Sequence, residues 1–99
     1  MRIEILDLAK ADLLEGFHFY EVKEQGLGDY FLTNIFSDIE RLKISGGIHR
    51  QSYRGFYRAL SKRFPVAIYY TAVNDTIWIR SIVDCRRHPS WIRTHLKKA

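Results

Sequence analysis

The apolar residues of this 99-residue chain change their spacing partway along the sequence. Leu13, Phe17 and Tyr20 recur every three to four positions, and a second stripe of the same kind runs over 31–42, which is typical of amphipathic helices. The later run over 64–73 is almost continuously apolar and rich in aromatic and β-branched residues, which predicts a central strand. This change from helical spacing to a strand-like run predicts helices packed on a sheet, an α+β fold.

Local signals place the boundaries of these elements. Ile3 and Ile5 alternate with Glu4 and predict a first strand over 2–7, followed by a helix over about 8–25. The segment Gly26-Leu27-Gly28 separates this helix from a second one, for which we predict Asp29 as the N-cap and Gly46-Gly47 as the end. Because the connection is short, the two helices are expected to form an antiparallel hairpin.

The second half of the chain predicts the sheet. Strands are expected over 53–60, 64–73 and 76–83, with Asn74-Asp75 as a two-residue turn between the last two. After Pro89, the stretch 91–98 predicts a short helix or an extended tail. The expected order is β-α-α-β-β-β in a single domain, 1–99, with the helical hairpin on one face of a small, mostly antiparallel sheet.

Several classes of protein do not fit this sequence. No apolar run approaches the ~20 residues of a membrane helix, and the start of the chain lacks the pattern of a signal peptide. Cys85 is the only cysteine, so we expect a cytoplasmic protein without an intrachain disulfide. We expect no metal and no cofactor, because paired zinc-type spacings, a nucleophile elbow and a phosphate-binding glycine loop are all missing.

The charge is divided unevenly along the chain. Residues 1–49 hold five basic and nine acidic side chains, whereas residues 50–99 hold eleven and two, which gives net charges of −4 and +9. Two acids cannot neutralise eleven bases locally. The basic half therefore predicts contact with a polyanion or an acidic partner, although a solvated basic face is the alternative interpretation.

Strand alternation predicts where these charges lie. In the last strand Trp78, Arg80, Ile82 and Asp84 share one face, and the opposite, more uniformly apolar face (Ile77, Ile79, Ser81, Val83) is expected to meet the helices. Arg80 and Arg58 then point to the other, open side of the sheet. Further residues predicted to contribute to a binding surface around them are Arg50, Arg54, Tyr57, Lys62, Trp78 and Arg87. Arginines and aromatic planes together suit phosphates and unstacked bases.

Cleavage of RNA is the enzymatic chemistry that this set could perform. Cations hold the charged phosphorane, and other groups move protons to and from the reacting oxygens. The candidate catalytic residues are Arg58, Arg63, Arg80, Arg86 and His88. His88 is the acid–base candidate because histidine titrates near neutrality, and a solvated loop histidine is the alternative.

The sequence resembles the RelE/ParE superfamily of toxins from type II toxin–antitoxin systems, which includes plasmid-stabilisation toxins. The resemblance covers nearly the whole chain. It rests on the order and spacing of six segments: Ala11-Asp12-Leu13, Gly26-Leu27-Gly28-Asp29-x-Phe31, Asp38-Ile39-x-x-Leu42, Tyr57-Arg58-x-Leu60, Arg63-Phe64-Pro65-x-x-Ile68-Tyr69-Tyr70 and Ile82-x-Asp84-Cys85-Arg86-Arg87-x-Pro89.

The resemblance implies a growth-inhibiting toxin that is held in a hetero-oligomer by a cognate antitoxin. RelE-like members cleave mRNA on the ribosome without a metal, and ParE-like members inhibit DNA gyrase and lack the catalytic set. Arg58 lies where RelE-like nucleases carry a basic residue, and Arg80 or Arg86 would match a later one. The C-terminal tyrosine of those nucleases has no counterpart after Tyr70, with His88 as the only replacement.

Three functions follow as hypotheses. The incomplete nuclease set and the Gly26-Leu27-Gly28 turn favour a ParE-like inhibitor of gyrase. A RelE-like, ribosome-dependent endoribonuclease is the alternative. A nucleic-acid-binding module without toxicity is the third hypothesis.

Overall fold

The four strands of the molecule form one sheet in the order β1–β4–β3–β2. The computed structural model describes residues 1–99, and its elements confirm the predicted order. They are β1 Arg2–Ile5, α1 Asp7–Lys23, α2 Leu27–Ser45, β2 Tyr57–Leu60, β3 Val66–Val73, β4 Thr76–Asp84 and α3 Pro89–Leu96. β1 runs parallel to β4, and the other neighbouring strands are antiparallel.

The two longest strands form the centre of the sheet. β3 is buried from Val66 to Tyr70, as its continuous apolar sequence predicts. Asn74 and Asp75 join it to β4 with φ values of 52° and 59°, which confirms the predicted turn, because these residue types tolerate positive φ.

The turn between α1 and α2 depends on one carboxylate. Glu21 accepts hydrogen bonds from the backbone N–H groups of Gly26 and Gly28 at 2.9–3.1 Å. These bonds hold the pKa of Glu21 below its usual range. Gly26 has a φ of 90° and is the N-cap, so α2 begins at Leu27. The prediction of Asp29 as N-cap was therefore wrong, because Glu21 already satisfies the first amides of the helix.

The main core lies between the helical hairpin and the sheet. Its fully buried side chains come from α1, α2 and three strands and include Phe31, Ile35, Ile68, Tyr70 and Ile79. On the hairpin side, α1 and α2 approach closely, because a Cβ at Gly28 would lie 2.7 Å from the Phe17 ring. These contacts place the hairpin on one face of the sheet, as predicted.

The alternation of β4 is interrupted by a β-bulge. Tyr69 pairs with Ser81, but Tyr70 pairs with Ile79, so Arg80 is the extra residue. Beyond it the faces exchange: Ile82 joins the main core and Val83 packs in a second cluster. The prediction that Ile82 shares the face of Arg80, and Val83 that of Ile79, was wrong for this reason.

The predicted strand over 53–60 is shorter in the structure. Tyr53–Gly55 forms a 3₁₀ turn in which Arg54 and Gly55 have φ values of 50° and 80°. Ladder pairing within the sheet therefore begins at Tyr57.

The C-terminal stretch is a helix and not an extended tail. α3 packs on the second face of the sheet, where Leu96 contacts a small cluster formed by Ala67, Tyr69 and Val83. None of the three helices is long and apolar enough to cross a bilayer.

Candidate functional site

The open face is the part of the sheet that faces away from the α1–α2 hairpin and is not covered by α3. It carries Arg58 and Arg80, together with Tyr53 and Phe56 from the segment before β2, and it borders the buried Tyr69, whose hydroxyl contacts Arg58. Arg58 and Tyr69 are neighbours in the β2–β3 register. The pairing of strands therefore brings together residues that are far apart in the sequence.

Arg58 is held by uncharged partners. Its Nε donates to the Tyr69 hydroxyl at 3.2 Å, and one terminal nitrogen lies 3.5 Å from Cys85 Sγ. Because no carboxylate neutralises this guanidinium, its charge is available to a ligand.

Arg80, the extra residue of the bulge, lies on the same face. Its Nε donates to Thr71 Oγ1 at 3.1 Å, and its guanidinium lies 5.6 Å from the centre of the Phe56 ring. Trp78, which pairs with Thr71 in the sheet register, is half-buried beside it. Arg80 is thus oriented by a hydroxyl and an aromatic ring, again without a carboxylate.

The loop before β2 adds Arg50 and Arg54. A polar cavity of about 430 Å³ is lined by Arg50, Gln51, Ser52 and Arg58. The carbonyl of Arg50 accepts the N–H of Arg58 at 3.1 Å, which fixes the loop beside the strand. Paired guanidiniums and a hydroxyl around a polar cavity are suited to a carboxylate or a phosphate.

Two further contacts position this loop. The Tyr70 hydroxyl accepts from the Gly47 N–H at 3.0 Å and lies 2.6 Å from His49 Nδ1. Burial raises the pKa of Tyr70. At the other end, the Arg54 guanidinium lies 5.3 Å from the centre of the Tyr53 ring, which gives the loop a stacked cation and ring.

The electrostatics of the open face follow from the ion pairs of the molecule. Six bases on it and on its borders form none: Arg50, Arg54, Arg58, Lys62, Arg63 and Arg80. Lys62 and Arg63 are exposed in the connection between β2 and β3. Four of them, Arg50, Arg54, Arg58 and Arg80, give the open face and the loop beside it a positive charge that no carboxylate of the chain neutralises.

Arg86 is not part of this arrangement. It forms a two-pronged ion pair with Asp84, at 3.0 and 2.6 Å, beside Tyr20 of α1. The hydrogen bonds from Arg86 hold the pKa of Asp84 below its usual range, and the pair raises the pKa of Arg86 in turn. Arg86 is thus neutralised on the helical side of the sheet.

Three other predicted residues also have separate contacts. Arg87 lies 3.7 Å from a Glu15 carboxylate oxygen and covers the Trp91 ring at 4.1 Å. His88 is the N-cap of α3, and its Nδ1 accepts the Ser90 N–H at 3.1 Å. Tyr57 stacks on Tyr70 and packs against the main core.

Asp12 and His95 form a buried pair that the sequence did not reveal. β1 pairs with β4 only as far as Ile79, so the far half of β4 has a strand neighbour on its β3 edge alone. There the Asp12 carboxylate accepts from the Ile82 N–H at 2.9 Å and the Ser81 hydroxyl at 2.6 Å, and contacts His95 Nε2 at 2.7 Å. Asp12 lies on the polar side of an amphipathic pattern, and only the later contact with α3 buries it.

Comparison with solved structures finds chains of similar fold. No family model matches the sequence, and no curated protein matches it. A chain in the solved structure of the chromosomal ParDE TA system from P. aeruginosa is similar, with a TM-score of 0.73 over 85% of this chain and 95% of that chain. Sequence identity is 21%, so the likeness concerns the fold. The predicted RelE/ParE-like fold is thereby confirmed.

Proposed function

We propose that this chain is the toxin of a type II toxin–antitoxin system, that it arrests growth by docking on DNA gyrase, and that a cognate antitoxin neutralises it in the cytoplasm. The likeness to a chain of the ParDE TA system supports the first part. The contacts that the candidate nuclease residues make in the structure support gyrase binding over RNA cleavage.

The observation that carries the mechanism is that those residues do not assemble around one point. Arg58 and Arg80 share the open face, but Arg86 is tied to Asp84 beside Tyr20. His88, the acid–base candidate, uses Nδ1 to cap α3. Scission of RNA requires proton transfer groups and cations around the same phosphate. A toxin that acts by binding requires no such assembly.

The open face is the proposed site for the antitoxin. Its bases have no internal ion partners, and its half-buried Tyr53 and Phe56 rings supply apolar contact area. An acidic, partly disordered segment would gain both charge pairing and burial there.

Expression of this chain alone tests the proposal. Growth should stop, and co-expression of a small acidic protein from the adjacent gene should restore it. Arg50→Glu combined with Arg54→Glu should remain toxic but resist rescue, whereas Lys97→Glu, on the C-terminal side of α3, should be rescued normally. Harmless expression of the unaltered chain would contradict the proposal.

One observation favours the endoribonuclease as the second candidate. The cavity beside Arg50 and Arg58 has the size and polarity for a phosphate group. Under this hypothesis, Arg58→Ala would abolish cutting of mRNA during induction. Under the gyrase hypothesis, no cutting occurs in the first place.

A further inference from the structure

An apolar groove lies on the hairpin side of the molecule, where α1, α2 and the end of β1 meet. We refer to it as the hairpin groove. It has a volume of about 470 Å³ and is lined by Ile5, Lys10, Leu13, Leu14, Phe17, Leu32 and Phe36. Lys10 is its one charged lining residue.

The groove exists because α1 is apolar on more than one side. Ala9 and Leu13 are buried against the sheet, yet Leu14 is 59% exposed on the neighbouring side. Phe36 of α2 is 43% exposed across from it. A surface helix on a sheet normally turns polar residues outward. Grouped apolar exposure of this kind marks a surface that contacts another molecule.

The charges at the rim of the hairpin groove favour a basic partner segment over an acidic one. Asp7 and Asp29 lie at helical spacing from Leu14 and Leu32 and form no ion pair, and Glu40 is paired with Lys43 at 3.0 Å. Together with Lys10, the unpaired rim charges are weakly acidic. An acidic antitoxin segment is therefore drawn to the open face, with its unpaired arginines, and not to this groove.

We infer that the hairpin groove docks the toxin's protein target, by receiving apolar side chains from a segment of that target flanked by basic residues. This inference rests on the proposed function, with gyrase as the target. The groove and the open face lie on opposite sides of the sheet, so target docking and antitoxin binding use different residues.

The test is inhibition of supercoiling by purified DNA gyrase holoenzyme. Leu14→Ser and Phe36→Ser should each raise the toxin concentration for half-inhibition on the order of tenfold, since each removes a buried apolar anchor from the contact. Val22→Ser and Ile44→Ser are matched controls, because these residues are 88% and 93% exposed and do not line the groove.

The outcomes separate the two proposals. If the unaltered chain inhibits gyrase and the groove variants are equally potent, the hairpin groove is not the docking site, and the proposed function still holds. No inhibition by the unaltered chain overturns both. Circular dichroism should show that both serine variants are folded, with a lower melting temperature for Phe36→Ser because Phe36 is only 43% exposed. Antitoxin binding by both variants should be unchanged.

Discussion

At the scale of single residues, two carboxylates hold segments that the sequence pattern leaves unconnected. Glu21 satisfies the amides at the start of α2, and Asp12 satisfies the part of β4 that β1 does not reach. Both belong to α1, and neither is part of its apolar stripe. Polar residues on an amphipathic helix are usually solvated. Only the folded structure shows that these two carboxylates accept hydrogen bonds from other segments of the chain.

Glu21→Gln should lower the melting temperature at neutral pH. The folded-state pKa of Glu21 is depressed by the bonds to Gly26 and Gly28. Its stabilising contribution is therefore present above the unfolded-state pKa and is lost as the pH falls through the folded value. Thermal melts at neutral pH and at about pH 3 should show the difference between variant and unaltered chain shrinking on acidification. Glu24→Gln is the control, and an effect of Glu21→Gln that persists in acid would contradict the assignment.

Asp12→Ala should destabilise the fold by about 2–4 kcal/mol, because it leaves the Ile82 N–H, the Ser81 hydroxyl and His95 without their buried partner. Urea denaturation measures this free energy of unfolding. Asp7→Ala, at an exposed position of the same helix, should change it by less than about 0.5 kcal/mol. Equal effects of the two substitutions would show that the Asp12 contacts contribute little.

At the scale of elements, α3 depends on a cap that coincides with a candidate catalytic residue. His88 accepts the Ser90 N–H, and Pro89 follows at the first helical position. Asparagine is a good N-cap but a poor general base, so two substitutions separate these roles.

His88→Asn should keep both the stability of α3 and the toxicity of the chain, whereas His88→Ala should weaken the helix by about 0.5–2 kcal/mol. Hydrogen exchange of the α3 amides reports the first effect, and growth arrest reports the second. If the asparagine variant were folded and had lost toxicity, His88 would have a chemical role and the capping account would be insufficient.

At the scale of the whole molecule, the spacing of apolar residues along the chain predicted the order of the helices and strands. The helical stripes, the continuous strand over 64–73 and the Asn74-Asp75 turn each depend on local interactions, which the sequence displays directly. The bulge at Arg80 could not be predicted, because the apolar residues on both sides of it suit either face. The change of face at Ile82 and Val83 follows from that single extra residue.

The positions of the candidate site residues were predicted only in part, because alternation along a strand holds up to the bulge and fails after it. Arg58 and Arg80 were placed on the open face by alternation up to the bulge, and the structure has them there. Arg86 and Arg87 follow the bulge and the end of β4, where pairing with Asp84 and Glu15 decides their positions. The charge counts predicted an anionic partner for the second half, and the ion pairs show that Arg86 and Arg87 are already engaged within the chain.

A toxin that binds gyrase and a toxin that cuts RNA leave different products in the cell. The most direct measurement is induction of the chain alone, followed by parallel assays for covalent gyrase–DNA complexes and for new 5′ ends in mRNA. From the proposed function we expect growth arrest with trapped gyrase–DNA complexes and intact messages. Growth arrest with cut messages and no trapped gyrase would contradict it.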